Sequence, residues 1–257
     1  MEKIELSYDG PLATVSFLTN EKNILTQSAL KKLHMLFGEL KQSSAKVCLL
    51  KSANQEFFSN GLDPLLFLDT DKETIKENTR LIFETAGEFF FLPQITICVI
   101  NGHCMGAASV FAIYADYRYM NQSRGRIGFP EINIAMSFPA FAYEVLRELV
   151  GERESRDLLL SGKLIKAQEA LKIGLIDDIA HEEILYDLAY KKALEFCQRP
   201  KESLRAIKEA RRRKWKKMAF DLTEEDVRIM VETIMSANTQ EGFRSLWEGR
   251  RARFAEL

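Results

Sequence analysis

The sequence predicts an α/β fold, a spiral of mixed strands and helices followed by an α-helical C-terminal portion. Three observations carry this. The apolar runs VCLL (47–50) and ITICVI (95–100) are continuous, the pattern of strands covered on both faces. Segments with apolar residues at helical spacing stand between the strands, and from about Lys166 onward the spacing is almost wholly helical. The 257 residues are 46% hydrophobic and 28% charged, enough for a large core in one domain or in a domain with a smaller partner.

IELSY (4–8) and LATVSFL (12–18) alternate on either side of Asp9-Gly10 and predict a hairpin with Val15 and Phe17 on one face. Thr26 stands as the N-cap of a helix whose Leu30, Leu33, Phe37 and Leu40 repeat at helical spacing, and VCLL follows as a strand. Residues 72–91 form a second helix that stops before Pro93, and ITICVI repeats the buried strand. After the turn Asn101-Gly102, the small residues Gly106–Ser109 lead into a helix through about Ala115. YRYM (117–120) is a strand, RIGF (126–129) a shorter one and FAYEVLREL (141–149) a helix. The helical C-terminal part is broken at LIDDIA (175–180), Pro200 and Thr223. The stripes Val227, Met230, Val231, Ile234 and Phe243, Leu246, Trp247 must be buried against the parent core or against another subunit.

The composition excludes several classes. Lys and Arg number 36 against 37 Asp and Glu, so no global field recruits polyanions or membranes. Cys48, Cys98, Cys104 and Cys197 lie far apart, and His34, His103 and His181 have no ligand spacing, so neither disulfides nor a metal are expected. No apolar run approaches the roughly 18 to 20 residues a bilayer requires. The opening MEKIELSYDG lacks the pattern of a signal peptide, and the closing AEL is not an SKL-type address. A cytoplasmic location is expected.

Three stretches can carry chemistry. Phe57-Phe58-Ser59-Asn60-Gly61-Leu62-Asp63 is a small-residue turn whose backbone N–H groups could hold an anionic oxygen, although most such turns only reverse the chain. Asn101 to Ala108 runs from a strand into a helix, where N–H groups meet a positive helix end; close packing of helix on sheet explains the same residues. Together two such turns could form an oxyanion hole. Phe129-Pro130-Glu131-Ile132 sets one carboxylate in an apolar context, where burial would raise its pKa above about 4.3; a loop-surface glutamate is the alternative. Arg205, Lys208, Arg211, Arg212, Arg213, Lys214, Lys216 and Lys217, with Trp215 among them, raise nucleic-acid binding as a separate class, or a solvated basic face. Leu65–Leu68, Leu81–Phe83 and Phe89–Phe91 suit either a fatty acyl chain or ordinary core.

In this order and spacing, NEKNILT (20–26), FSNGLD, INGHCMGAA, FPEINIA, LLLSGKLIKAQEALKIGLIDDI and EGFRSLWEGRRARF resemble the crotonase superfamily, the enoyl-CoA hydratase/isomerase family, over nearly the whole chain. The resemblance implies a spiral of ββα turns over residues 1–195, a helical portion over 196–257 that makes homotrimers or hexamers, and a coenzyme A thioester substrate. No cofactor is implied beyond the coenzyme A of the substrate, and no membrane or nucleic-acid partner. The family's oxyanion N–H groups fall on Leu62 and Ala107, with Gly61 and Gly106 shaping the turns. GAA stands here where many members have GGG. Ser59, Asn60, Gly61 and Gly106 are implied as substrate-binding residues of the two turns, and Lys22, Ile24 and Asp63 as coenzyme A contacts.

Typical hydratases of the family use two glutamates. Here the first position is Val110, and the second is Glu131. One base suffices to move a double bond from the 3- to the 2-position of an enoyl thioester, and FFSNGLD, the Tyr119-Met120 and Arg124-Gly125 segment and EINIAMSFP resemble the Δ3-Δ2-enoyl-CoA isomerase branch. The implied activity is therefore isomerisation in fatty acid degradation. The alternatives are another crotonase-type hydratase, hydrolase or decarboxylase, or an RNA-binding member. His103 is tolerated by the family without a chemical role, and Cys104, Tyr114 and Tyr117 are read the same way.

Overall fold

In the computed structural model, which describes residues 2–254, each turn of the chain places one strand in a large sheet, one short strand in a small sheet, and then a helix. The hairpin is β1 (Lys3–Asp9) and β2 (Leu12–Leu18), paired antiparallel from Lys3↔Leu18 to Asp9↔Leu12. Its two loop residues are Gly10 and Pro11, one place later than the Asp-Gly expected, because Asp9 still pairs across the ladder. Helix α1 (Gln27–Gln42) begins at Thr26, whose side chain accepts the Ala29 N–H as an N-cap does.

The repeating unit then sets in. First come β3 (Val47–Ser52), β4 (Phe57–Ser59) and α2 (Lys72–Phe90), with a 3₁₀ turn, Pro64–Leu66, before the helix. Next are β5 (Ile95–Ile100), β6 (His103–Met105) and α3 (Ala107–Tyr114). The third is β7 (Tyr117–Asn121), β8 (Ile127–Gly128), a 3₁₀ turn over Glu131–Ile134, and α4 (Ala140–Ser161), interrupted at Gly151. β9 (Leu164–Ile165), α5 (Ala167–Lys172) and β10 (Asp178–Ala180) close the spiral. Helices α6 (Glu182–Cys197), α7 (Lys201–Ile234) and α8 (Ala237–Glu248) complete the described chain, and residues 255–257 of the C-terminal portion lie outside it.

The large sheet has the order β1-β2-β3-β5-β7-β10, parallel from β2 onward. Its side chains alternate between two cores as the pleat requires. Val15, Phe17, Cys48, Leu50, Cys98, Ile100 and Met120 face the helices α1 to α3, whereas Leu12, Val47, Leu49, Ile97, Val99 and Tyr119 pack against Leu185, Ala189 and Ala193 of α6. This is why VCLL and ITICVI read as unbroken apolar runs. Of the small sheet, β4-β6-β8-β9, the sequence showed only β8, inside the expected strand RIGF; the other strands of two or three residues have no measurable period.

Two corrections concern the C-terminal helices. Thr223 does not break the chain: α7 continues from Lys201 to Ile234, and the Thr223 hydroxyl donates to the carbonyl of Ala219. The basic run is divided: Arg211, Arg213, Lys214, Lys216 and Lys217 are exposed, and two of its cations are buried. Lys208, Arg212 and Trp215 are buried, while Lys214 pairs with Glu148 and Lys216 with Glu209. Lys208 Nζ lies 2.6 Å and Arg212 3.2 Å from the fully buried carboxylate of Asp116, which also accepts the Thr96 N–H at 3.0 Å. Burial alone would raise the Asp116 pKa, but the Lys208 and Arg212 charges overcome it and hold the group well below the usual carboxylate range. The stripe splits similarly: Val227, Met230, Val231, Ile234 and Phe243 join the main core, and Leu246 and Trp247 remain 49% and 58% exposed.

Asp116→Asn should therefore destabilise the fold by about 3–5 kcal/mol, because it strands two buried cations. Urea unfolding at pH 7 measures this, and a change below about 1 kcal/mol would mean that the cluster does not anchor α7.

Candidate functional site

The three stretches singled out in the sequence leave the C-terminal ends of three neighbouring parallel strands. β4 pairs with β6 through Phe57↔His103 and Ser59↔Cys104, and β6 with β8 through Cys104↔Ile127 and Met105↔Gly128. The chain therefore emerges side by side at Asn60-Gly61-Leu62, Gly106-Ala107 and Phe129-Pro130-Glu131.

The first two turns touch. Gly61 (φ +88°) and Gly106 (φ +57°) occupy conformations that L side chains rarely adopt. A Cβ on Gly61 would lie 3.0 Å from the Met105 carbonyl oxygen and 3.9 Å from Ala107 N. Leu62 forms a parallel bridge with Leu25, in which Leu25 N–H donates to Gly61 O (2.8 Å) and Asp63 N–H donates to Leu25 O (3.1 Å). That pattern uses the groups on either side of Leu62 and leaves its own N–H directed away from the bridge. Ala107 is the first residue of α3, where an N–H has no intrahelical acceptor. Among the described residues, no hydrogen bond uses the Leu62 or the Ala107 N–H. Two unpaired donors on adjoining turns, one at a helix N-terminus, can hold a developing oxyanion.

Glu131 faces the second turn: its Oε1 would lie 3.6 Å from a Cβ on Gly106. The residue is only half-exposed, and its Oε2 is buried without a hydrogen-bond partner. Burial pushes the carboxyl up to about 7, opposed only by its own backbone N–H. No cation compensates it, in contrast to Asp116. A carboxylate that titrates near neutrality is matched to proton transfer at physiological pH. Helix α3 is buried except at Ala107 and Val110, which are one turn apart on the same face. Leu62 on the first turn, Val110 on α3, and Ile134, Met136 and Phe138 on the segment after Glu131 are half-buried apolar side chains, and Phe138 packs edge-on against Phe129 at 5.4 Å.

The remaining candidates fall into two groups. Lys22 is exposed and Ile24 half-buried on the segment laid along the first turn, where Asn60 N–H donates to Lys22 O at 3.1 Å. Ser59 is fully buried and its Oγ accepts the Gly61 N–H at 3.2 Å, so it shapes the turn rather than presenting a contact surface. The Asp63 carboxylate accepts the Leu65 N–H at 3.0 Å and caps the 3₁₀ turn, which commits one of its oxygens locally. The His103 ring lies tilted beside Phe57 at 5.3 Å, and burial pushes the Cys104 thiol up to about 12, which keeps it protonated at neutral pH. Of the apolar stretch 64–91, Leu66, Phe67, Ile82, Phe89 and Phe90 are core, Leu65 is 50% exposed, and Leu68, Leu81, Phe83 and Phe91 are half-buried against the core.

Sequence reasoning missed two organising residues. Asn23 is fully buried at φ +51°, accepts the Thr19 N–H at 2.8 Å and donates to Ser52 Oγ (2.9 Å) and Phe58 O (2.8 Å). It thereby staples the segment carrying Lys22 and Ile24 to the strand that leads into the first turn. An asparagine beside the turn-like NEK was the available signal, since asparagine tolerates this conformation. The Ser109 hydroxyl stands 2.8 Å from both the Cys104 and the Gly128 carbonyl oxygens and joins the first turn of α3 to β6 and β8.

Among the described residues no group of three or more His, Cys, Asp or Glu could hold a metal, and no helix is long and apolar enough to cross a membrane. The enoyl-CoA hydratase/isomerase family profile matches residues 11–256. The peroxisomal enoyl-CoA delta isomerase 2 of Arabidopsis thaliana is 32% identical over 157 residues, which span 58% of this chain and 65% of that protein. The structure of human mitochondrial delta3-delta2-enoyl-CoA isomerase superposes with a TM-score of 0.91 at 21% identity, covering 96% of this chain and 97% of that one. Enoyl-CoA hydratase from Bacillus halodurans superposes at 0.87 and 19% identity, over 94% and 99% of the two chains. With the profile spanning almost the entire spiral and its helical extension, the chain belongs to the enoyl-CoA hydratase/isomerase family, within the crotonase superfamily.

Proposed function

We propose that the protein is a Δ3-Δ2-enoyl-CoA isomerase that uses Glu131 as its single acid-base group. The observation that carries this is one carboxylate whose Oε2 is buried without a partner, together with the apolar Val110 on α3, where a two-base hydratase would place the first of its two glutamates. The Arabidopsis relative named as a delta isomerase supports the same branch.

In the proposed reaction the thioester oxygen of a 3-enoyl-CoA accepts hydrogen bonds from the Leu62 and Ala107 N–H groups. The Glu131 carboxylate removes a proton from C2, and the electron pair spreads through the thioester and the double bond as a dienolate whose oxygen the two N–H groups stabilise. The carboxylic acid so formed returns the proton to C4, leaving the conjugated 2-enoyl thioester and regenerating the carboxylate. No water is added and no cofactor is consumed. The half-buried Leu62, Val110, Met136 and Phe138 give the acyl chain an apolar surrounding, and Lys22 and Ile24 are the candidate contacts for the coenzyme A moiety.

The test is the purified protein with 3-hexenoyl-CoA, followed by the ultraviolet absorbance of the conjugated product, beside crotonyl-CoA for hydration. Conjugation without hydration is expected; hydration of crotonyl-CoA at a comparable rate, or no turnover of either, would overturn the proposal. Glu131→Gln should lower kcat by about 10²- to 10⁴-fold, and wild-type kcat/KM should fall as pH drops below about 7, where the base becomes protonated. The folded carboxyl binds its proton more tightly than the unfolded chain does, so the stability it contributes is complete below about pH 4.5 and is lost as pH rises through about 7. Relative to wild type, Glu131→Gln should therefore gain stability with rising pH, by on the order of 3 kcal/mol at pH 8. A pH-independent difference between the two unfolding curves would contradict the burial of Glu131.

Assembly as a homotrimer or hexamer belongs to the same proposal, with the exposed Leu246 and Trp247 as the apolar face to be covered. Light scattering should give the mass of three or six chains, and a single-chain mass at micromolar concentration would remove this part.

A further inference from the structure

Helix α8 touches both halves of the site. On the side of Glu131, the fully buried Thr239 donates its hydroxyl to the Ala135 carbonyl at 2.7 Å. One turn further, a Cβ on Gly242 would lie 2.4 Å from the Ile134 carbonyl oxygen and 2.8 Å from its Cα, so the helix backbone rests directly on the end of the 3₁₀ turn. That turn starts at Glu131 and is closed by the Met136 N–H donating back to the Glu131 carbonyl at 3.0 Å. On the side of the first turn, Gln240 donates to the Phe67 carbonyl at 3.1 Å and accepts the Asp69 N–H at 3.2 Å. Phe243 packs on Phe67 at 5.3 Å, and Arg244 pairs with Asp69 at 2.7 Å. These groups hold the segment that follows Leu62 through the turn Pro64–Leu66. Ser236 caps the helix by accepting the Thr239 N–H, which fixes where the row of contacts begins.

We propose that α8 is the positioning element of the catalytic centre, with Thr239 and Gly242 setting the placement of Glu131 and Gln240 setting the turn after Leu62, so that base and oxyanion donors keep one separation. This rests on the reading of Glu131 as the base. Neither Thr239 nor Gly242 touches substrate in this arrangement; each acts through the backbone of the Glu131 turn. Positioning errors of about an ångström cost of the order of 100-fold in rate, so contacts to the backbone at this turn govern kcat more than affinity.

The experiment compares Thr239→Val, Thr239→Ser and Gly242→Ala with wild type in three readouts. These are kcat and KM on 3-hexenoyl-CoA, the thermal midpoint, and the titration of the Glu131 carboxyl by ¹³C NMR without substrate, assigned by its loss in Glu131→Gln. Thr239→Val should lower kcat by about 10- to 100-fold with KM within about twofold, and the Glu131 midpoint should move toward the ordinary carboxylate range as the turn loosens and water enters. Thr239→Ser, which keeps the hydroxyl, should restore both. Gly242→Ala should displace the turn and reproduce the Thr239→Val result. The proposal is overturned if Thr239→Val keeps the wild-type kcat and Glu131 midpoint, or if kcat falls only in proportion to the loss of folded protein while the midpoint stays fixed. Should the wild type fail to isomerise, the role of Glu131 fails, but the titration still decides whether α8 controls its environment.

Discussion

The parallel registry of β4, β6 and β8 is the constraint on which the site depends. Because these three strands run side by side in one direction, whatever follows each of them is delivered to the same place. The large sheet does not determine this directly. It spaces successive turns of the spiral, and the small sheet converts that spacing into adjacency between residues 61–62, 106–107 and 131. Ser109, bonded to carbonyls of both β6 and β8, locks the arrangement at the point where α3 begins. Ladder hydrogen bonds of a few short strands contribute little net stability each, so the registry is held by the helices packed around it.

The fold treats its buried charges in two opposite ways. Asp116 is surrounded by Lys208, Arg212 and the Thr96 N–H, and the cluster joins α7 to the N-terminal ends of β5 and β7 in the large sheet. Glu131 is half-buried, yet its Oε2 is buried without a hydrogen-bond partner. Keeping such a group ionised costs on the order of a few kcal/mol, a sizeable fraction of the roughly 5–15 kcal/mol that a folded domain commands. A structural carboxylate would be paired or exposed. A carboxylate with one oxygen buried and unpaired beside the Gly106 turn is one whose proton is easily given and taken.

The C-terminal helices connect the two. α7 is anchored through the Asp116 cluster and through Trp215, whose ring packs edge-on against Phe90 and Phe141. α8 then returns across the mouth of the spiral and bears on both 3₁₀ turns. Its inner face is spent on these contacts, and its outer face leaves Leu246 and Trp247 exposed. One helix thus has a side covered by these contacts and a side left open.

Much of this was legible in the sequence. The hairpin, the Thr26 cap, the two buried strands and the three stretches that carry chemistry follow from local period, capping chemistry and glycine at turns, all properties of a few consecutive residues. Glu131 and Val110 could be compared by position alone. What only the tertiary structure decided involves contacts between residues far apart in the chain. Apart from β8 within RIGF, the small sheet was invisible because its strands are too short to show a period. The burial of Lys208 and Arg212 could not be read from a basic run, because their partner Asp116 lies some ninety residues earlier. The support given by Thr239 and Gly242 to the Glu131 turn has no sequence signature, since a threonine and a glycine on a helix acquire meaning only from the backbone they meet. Sequence determined which groups were available; the packing of distant segments determined which were left unpaired, and therefore free to act.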